Sequence, residues 1–303
     1  MNYELIIIRY GEIALKGRET RRRFENALVS NIENAFIKEK LSSKIIKEWG
    51  RIYVYTAQIN KCINILRKIF GITSISPALQ TKSDIESISK LAVDISKKVL
   101  IKEMSFAIRA TRTGKHAFTS QDVAIKIGNE IVKATRASVN LKNPDFELFI
   151  EIRNDKAFLF TKKIRCAGGM PYGTQGNVLA LINELDSILA AWYLMRRGCK
   201  IISVITKEFN KDILNSFLEN WFVKSDIYTI DSENNIYEQI NRIACERNCD
   251  AVVTNHTVFN NSKNMLSEVK QLKKYVNIPI LHPLISMNKE EIIKKCKEIG
   301  LPV

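Results

Sequence analysis

Cysteine is scarce in this 303-residue chain, and so are long apolar runs. Six cysteines without a Cys-x-x-Cys pair are too few to cross-link a chain of this length, which argues against a disulfide-stabilised secreted domain. The apolar runs fall far short of the roughly 20 residues that cross a bilayer. The residues before the first apolar strand do not resemble a signal peptide. We therefore expect a cytoplasmic protein with no membrane partner.

Acidic residues are few in the first part of the chain. Residues 1–176 hold 31 Lys and Arg against 17 Asp and Glu, a net charge of +14, whereas residues 177–303 hold 16 against 15. A positive field confined to one part of a protein is typical of a surface that docks a polyanion. The alternative is a lysine-rich surface that serves solubility.

Metal-ligand pairs are sparse as well. Cys245 and Cys249 lie one helical turn apart, but no second Cys or His pair at ligand spacing accompanies them. Packing explains these two cysteines better than metal binding does. We predict no metal site in the chain.

The stretch 168–198 contains a strand-to-helix turn that has no glycine. There an apolar run, Val178–Ile182, is followed by residues 183–187, which read NELDS, and then by apolar residues at helical spacing. A buried parallel strand that enters a helix is the opening unit of a doubly wound sheet. Such turns hold anions through free backbone N–H groups and are normally rich in glycine. This turn has two carboxylates and no glycine.

The chain before this stretch begins with an α+β pattern. Residues 4–77 read as strand, helix, strand, strand, helix and strand, which is the order of a ferredoxin-like domain. The first helix, predicted over 19–39, begins in a cluster of cations that oppose the helix dipole and do not serve helix stability. Clustered cations supply sequence-independent affinity for nucleic-acid phosphates. These candidate RNA-binding residues are Lys16, Arg18, Arg21, Arg22 and Arg23.

A second basic cluster follows. The pattern continues with a helix from Ser83, a strand, a basic loop, a helix capped near Thr119, and two strands joined by a tight turn at Asn154-Asp155. His116 and Phe118 either stack on an unpaired base or fill the core, and both alternatives stay open. The candidate RNA-binding residues of this region are Arg109, Arg112, Lys115 and His116.

In the remaining residues strands and helices keep alternating. Strands are predicted at 200–205, 227–230 and 251–254, which indicates an α/β domain with a doubly wound parallel sheet. The third of these strands leads into Asn255-His256-Thr257. The last helix is predicted to begin near Met287-Asn288.

Several strings in this chain resemble the tRNA 4-thiouridine synthetase (ThiI) family. They are RYGEIALKG (9–17), FAIRATR (106–112), VNLKNPD (139–145), GGMPYGTQG (168–176), VLALI (178–182), DSILAAWYLMRRG (186–198) and NKEEI (288–292). The resemblance implies an α/β protein with an α+β N-terminal part. It implies a ferredoxin-like domain at 1–77, a THUMP RNA-binding domain at 78–168, and a doubly wound PP-loop ATP pyrophosphatase-like domain at 169–303.

The resemblance also implies which residues would face ATP and magnesium. The family carries a Ser-Gly-Gly-x-Asp-Ser loop, of which this chain keeps Asp186 and Ser187 in a turn that is one residue short. The residues implied to face the nucleotide are Asn183, Asp186, Ser187 and Thr254. Asp186 and Ser187 would be the remnant of a catalytic site, or, as the alternative, only a helix cap. No cysteine occupies the family's catalytic position, because Cys296 lies inside the last helix.

Three functions stay open. The first is a tRNA-binding protein associated with tRNA thiolation that has lost its adenylation site and works with a separate sulfur-transfer enzyme. The second is an active tRNA uridine sulfurtransferase that uses ATP and magnesium and takes sulfur from a separate donor. The third is a small-molecule PP-loop-like protein with no RNA role. The resemblance also suggests a homodimer, but no residue pattern in the sequence indicates one.

Overall fold

The computed structural model describes residues 3–231, 235–258 and 265–303. They form an α/β protein with an α+β N-terminal part, as the sequence predicts. Two compact units are present. The first unit comprises the residues up to Arg9, Lys40–Arg67 and Ser74–Arg165; the second comprises Tyr10–Glu39, Lys68–Thr73 and the described chain from Cys166 on. None of the helices in the described part combines the length and the apolarity that a membrane span needs.

The N-terminal strands join in one nine-stranded mixed sheet with the order β2-β3-β1-β4-β8-β7-β5-β6, and β9 pairs with β4. Apart from Tyr10, Ile72 and Thr73, the strand residues belong to the first unit. The strands are β1 (Leu5–Tyr10), β2 (Lys44–Glu48), β3 (Arg51–Tyr55), β4 (Ile72–Lys82), β5 (Ser105–Thr113), β6 (Ser138–Val139), β7 (Phe146–Arg153), β8 (Lys156–Phe160) and β9 (Ile164–Arg165).

Strand β4 is longer than the sequence predicts, because it continues past Pro77. Its first half pairs with β9, where Ser74 lies opposite Arg165, and its second half pairs with β8, where Leu79 lies opposite Leu159. Proline lacks the N–H that a ladder needs and is tolerated where pairing is interrupted. Pro77 lies between the two partners, so the strand need not end there.

The first unit contains the helices α2 (Ile59–Leu66), α3 (Ile85–Lys97) and α4 (Ser120–Thr135), whereas α1 (Arg18–Lys38) belongs to the second unit. The predicted cap of α4 is confirmed, because Thr119 and Asp122 form a capping box. The turn at Asn154 is also confirmed, with a positive φ of 53° that asparagine tolerates better than most residues. Helices α3 and α4 cover one face of the sheet and bury Ile88, Val123 and Ile150.

The second unit contains a five-stranded parallel sheet with the order β12-β11-β10-β13-β14. Its strands are β10 (Asn177–Ile182), β11 (Lys200–Thr206), β12 (Asp226–Ile230), β13 (Ala251–Val253) and β14 (Ile280–Leu281). Besides α1, the helices of this unit are α5 (Leu185–Arg196), α6 (Lys211–Asn220), α7 (Ile236–Glu246), α8 (Met265–Tyr275) and α9 (Lys289–Ile299). The predicted start of the last helix is confirmed, since Asn288 caps α9. Phe70, Trp192 and Trp221 pack together in the core of this unit.

Candidate functional site

The five-stranded sheet has a single point where its winding direction reverses, between β10 and β13. The chain passes from β10 to β11 and β12 on one side and returns to β13 and β14 on the other. In open α/β sheets, ligands bind at the carboxyl ends of the strands that flank this reversal. The residues that follow β10 and β13 are therefore the candidate site, and they include all four residues that the resemblance assigns to ATP.

The turn after β10 is closed by its own side chains. Glu184 is the N-cap of α5, and its backbone N–H donates to Ser187 Oγ over 3.3 Å. The Ser187 hydroxyl donates in turn to Asn183 Oδ1 over 2.7 Å, and Ser187 is buried. A helix N-terminus binds an anion only when its backbone N–H groups are available. Here Glu184 and Ser187 form a capping box at the start of the helix.

Two carboxylates stand at the same helix start. Asp186 accepts a hydrogen bond from Asn255 Nδ2 over 2.6 Å, which links the turns after β10 and β13. Burial raises the pKa of Asp186, although the Asn255 bond opposes the rise. Burial and the neighbouring Asp186 raise the pKa of Glu184. Among the residues that the structure describes, no lysine or arginine forms an ion pair with either carboxylate.

Thr254 lies at the end of β13 and is buried. Its Oγ1 is 2.7 Å from Nδ1 of His256 and 2.7 Å from Nδ1 of His282, the residue that follows β14. Burial lowers the pKa of His282, and the nearby His256 lowers it further. Thr254 is thus held by two imidazoles. The sequence reasoning missed His282, although its position directly after a parallel strand is a signal that would have found it.

The composition of the turn after β10 differs from that of a glycine-rich phosphate loop. A pyrophosphate must approach the backbone closely, which requires glycines, and residues 183–187 contain none. Two acidic side chains, Glu184 and Asp186, lie at the start of α5 instead. Like charges about 4 Å apart repel by roughly 1 to 4 kcal/mol, depending on the local dielectric constant. We therefore assign no step to ATP or magnesium at this site.

Three of the four candidate RNA-binding residues of the second basic cluster bond to the protein itself. Arg109 donates to Glu147 Oε1 and to the Leu141 carbonyl, both over 2.8 Å. His116 Nε2 donates to the Asn154 carbonyl over 2.6 Å. These bonds order the loop. Arg112 is exposed and donates to the Gly114 carbonyl over 3.1 Å, and Lys115 is exposed as well.

The structure distinguishes between base stacking and core packing for Phe118. Its ring packs half-buried against the core of the first unit. The His116 ring lies 5.4 Å from it, centroid to centroid, at a tilt of 35°. This packing favours a structural role for Phe118 and leaves His116 as the ring that borders the basic loop.

The basic residues at the start of α1 belong to the second unit and are more open. Lys16, Arg18, Arg22 and Arg23 are exposed, while Arg21 is half-buried and its Nη2 donates to the Lys16 carbonyl over 3.3 Å. Gly17 is the N-cap, and no side chain caps the helix. One helical turn therefore presents several cations at a positive helix end, an arrangement that costs stability and suits an anionic partner.

A ferredoxin-like pattern, a THUMP-like sheet and a parallel α/β domain together define a class of proteins that act in RNA modification. Known domains match in the same order. Residues 5–76 match the ThiI ferredoxin-like domain, residues 82–162 the THUMP domain, and residues 209–301 the family described as thiamine biosynthesis protein (ThiI). The turn at 183–187 lies outside the last match.

Whole-chain relatives make the assignment specific. The probable tRNA sulfurtransferase of Methanobrevibacter smithii is 33% identical, and the match covers 99% of this chain and 87% of that protein. The tRNA sulfurtransferase of Pyrobaculum aerophilum is 32% identical, with 98% and 67% covered. The chain belongs to the ThiI family of tRNA sulfurtransferases, which confirms the resemblance.

Two solved structures share the fold. A protein from Pyrococcus horikoshii Ot3 superposes with a TM-score of 0.83 at 29% identity, covering 98% of this chain and all of that one. A 4-thiouridine synthetase in complex with RNA and bound ATP also gives 0.83, at 26% identity, covering 98% and 85%. The fold class predicted from the sequence is confirmed.

Proposed function

We propose that this protein binds tRNA and serves tRNA thiolation without adenylating the tRNA itself. The observation that carries the proposal is the turn at 183–187, where Glu184 and Ser187 form a capping box and the sequence has two carboxylates and no glycine. ATP bound to the related synthetase structure shows what that fold accommodates elsewhere in the family. This chain retains the fold and lacks a matching anion site.

Electrostatics support the loss of nucleotide binding. The N-terminus of α5 carries a partial positive charge that an anion would normally complement. Asp186 and Glu184 already place acidic side chains at that end of α5. A triphosphate would have to displace them or lie beside them. Either outcome costs free energy that a glycine loop would not require.

The tRNA-binding part of the proposal is supported by charge and by family. Residues 1–176 carry a net charge of +14, and the THUMP match falls within them. Exposed cations such as Arg22 and Arg23 are suited to phosphate contacts, which provide most of the sequence-independent affinity for RNA. The related synthetase was solved as an RNA complex.

A separate enzyme would supply sulfur in this proposal. Cys296 lies near Asp186 but is almost fully buried, and burial together with the Asp186 charge raises the pKa of its thiol to about 11. A thiol in that state is a poor nucleophile at neutral pH. The cytoplasmic location, the sulfur-donating partner and the homodimer remain predictions.

Calorimetric titration tests the proposal. Magnesium ATP titrated into the protein, alone and with tRNA present, is expected to give no binding heat, whereas tRNA binds and weakens steeply as salt rises. ATP binding with tRNA-dependent release of pyrophosphate, lost in Asp186→Ala, would establish the active sulfurtransferase instead. Absence of salt-sensitive tRNA binding would leave the small-molecule alternative.

A further inference from the structure

Trp49 is an exposed aromatic side chain at the tip of the hairpin between β2 and β3. Glu48 pairs with Arg51 across the hairpin, so that Trp49 and Gly50 form a two-residue turn. Gly50 takes a positive φ of 73°, which a two-residue turn of this kind requires. The tryptophan is 71% exposed. Tryptophan is highly buried on average, so an indole held this far into solvent calls for an explanation.

Arginine side chains fix the backbone of this turn. Arg153 donates to the Trp49 carbonyl, and Arg51 Nη1 donates to the Gly50 carbonyl over 2.6 Å. Both guanidinium groups lie close to the buried Glu151, whose Oε1 accepts from Arg51 Nε over 2.7 Å. Carbonyls of a hairpin turn ordinarily face water. Here two charge-assisted bonds anchor them to the sheet, which holds the exposed indole on a rigid support.

The surroundings of the turn are strongly basic. Six cations belong to the hairpin and to the charge network beneath it, against the carboxylates of Glu48, Glu151 and Asp155, which leaves a net charge of +3 for these nine residues. Lys44 and Lys47 are exposed on β2 itself. The six cations are Arg9, Lys44, Lys47, Arg51, Arg153 and Lys156.

We propose that Trp49 is a stacking platform for an unpaired RNA base, with the neighbouring lysines contacting the adjoining phosphates. This inference rests on the proposed tRNA binding and assigns part of it to a particular surface. Proteins that bind single-stranded nucleic acid combine a positively charged surface with aromatic side chains on which bases stack. An apolar protein partner would have to bury this cationic surface without compensation, so the charge favours RNA as the occupant.

Intrinsic fluorescence tests the proposal directly, because the other two tryptophans are buried, Trp192 at 4% and Trp221 at 8% exposure. The probes are a mixed-sequence single-stranded RNA, the same strand annealed into a blunt duplex, and whole tRNA. Single-stranded RNA and tRNA are expected to quench the emission of Trp49 and to shield it from acrylamide. The duplex is expected to leave that emission unchanged.

Variants separate stacking from other roles. Trp49→Ala should weaken binding of the single-stranded RNA by about 5- to 150-fold, the range for removing one stacking aromatic. Trp49→Tyr should recover most of the affinity, and Trp49→Leu should not. Ile101→Ala, which removes an exposed apolar side chain of the same unit, serves as the matched control and should change nothing.

The possible results are distinguishable. If the wild-type protein binds no tRNA, the proposed function fails. If it binds tRNA and Trp49→Ala binds single-stranded RNA equally well, only the stacking proposal fails. If Trp49→Ala instead abolishes self-association in sedimentation experiments without RNA and leaves RNA affinity unchanged, Trp49 belongs to a contact between copies of the chain, and the stacking proposal is overturned.

Discussion

The buried Glu151 allows a sharp test of the charge network in the first unit. It lies on β7 and pairs with Arg9 on β1 over 3.0 Å and with Arg51 on β3 over 2.7 Å. Its side chain is 7% exposed, and the two arginine side chains are 14% and 25% exposed. Glu151→Gln would keep the shape of the side chain and remove the only negative charge of this group, which leaves the arginines without a counter-ion.

Removing one partner of a buried ion pair costs about 3 to 5 kcal/mol, because the other charge stays buried and uncompensated. The amide oxygen of glutamine can keep one hydrogen bond, so we expect a loss of about 3 kcal/mol in the free energy of unfolding. Urea denaturation followed by circular dichroism measures this loss as a lower midpoint with an unchanged slope.

Glu147 on the same strand provides a matched control. It pairs with Arg109 over 2.8 Å, but both side chains are 38% exposed. Water screens a pair of this kind, so Glu147→Gln should cost less than about 1 kcal/mol. Equal losses for the two variants would refute the argument, because Glu151 is buried beside three arginines whereas Glu147 is half-exposed beside one.

The pH dependence of the Glu151→Gln effect has a definite sign. Burial raises the pKa of Glu151, but Arg51 and Arg9 outweigh it and hold the pKa below its ordinary value of 4.5. The ionised carboxylate therefore stabilises the folded state above pH 4.5, and this contribution disappears as pH falls through the lowered pKa. The difference between wild type and Glu151→Gln should shrink correspondingly in acid.

Three further predictions concern the candidate sites. Arg22→Glu with Arg23→Glu should weaken tRNA binding and reduce the slope of log affinity against log salt by about 1.4 to 1.8. The control variant, Lys294→Glu with Lys297→Glu, changes two exposed cations on α9 and should alter that slope little. Equal effects of the two variants in filter binding would contradict a specific α1 surface. Asn183→Gly with Glu184→Gly should improve ATP binding in calorimetry. The control Glu238→Gln removes a first-turn carboxylate from α7 and should not improve it. If the glycine variant does not improve ATP binding, residues 183 and 184 are not the cause of weak ATP binding. Burial raises the pKa of Asp186 above 3.8, so its ionised form costs stability at neutral pH. Asp186→Asn should therefore raise the urea midpoint at pH 7, and this gain should disappear near pH 3.8. A lower midpoint of the variant at pH 7 would contradict the prediction.

The sequence predicted the parts of the fold that local patterns determine. The apolar run at 178–182 followed by helical spacing indicated the β10–α5 unit, and Thr119 with Asp122 indicated the start of α4. It did not predict the Glu151 network, because Arg9 and Arg51 lie 142 and 100 residues away along the chain. No local period records such a pairing.

For the candidate site as well, the sequence indicated some residues but not the contacts between them. Asn183, Asp186, Ser187 and Thr254 were assigned through the family resemblance, and they lie directly after β10 and β13 or at the start of α5. The link from Asp186 to Asn255, and the convergence of His256 and His282 on Thr254, depend on which strands become neighbours. The pairing of Arg109 with Glu147 likewise follows from the β5–β7 pairing, which a count of cations does not reveal.

The path of β4 has a practical consequence for anyone dissecting this protein. One uninterrupted strand supplies the pairing edge for β8 and also for β9, so the ferredoxin-like and THUMP sequences share a single sheet. A fragment beginning at residue 82 would leave the outer edge of β8 without a paired strand. The unpaired backbone N–H and C=O groups of such an edge can form hydrogen bonds with strands of other molecules. Such a fragment is expected to aggregate, and one that begins at Met1 and retains the whole strand is the safer choice.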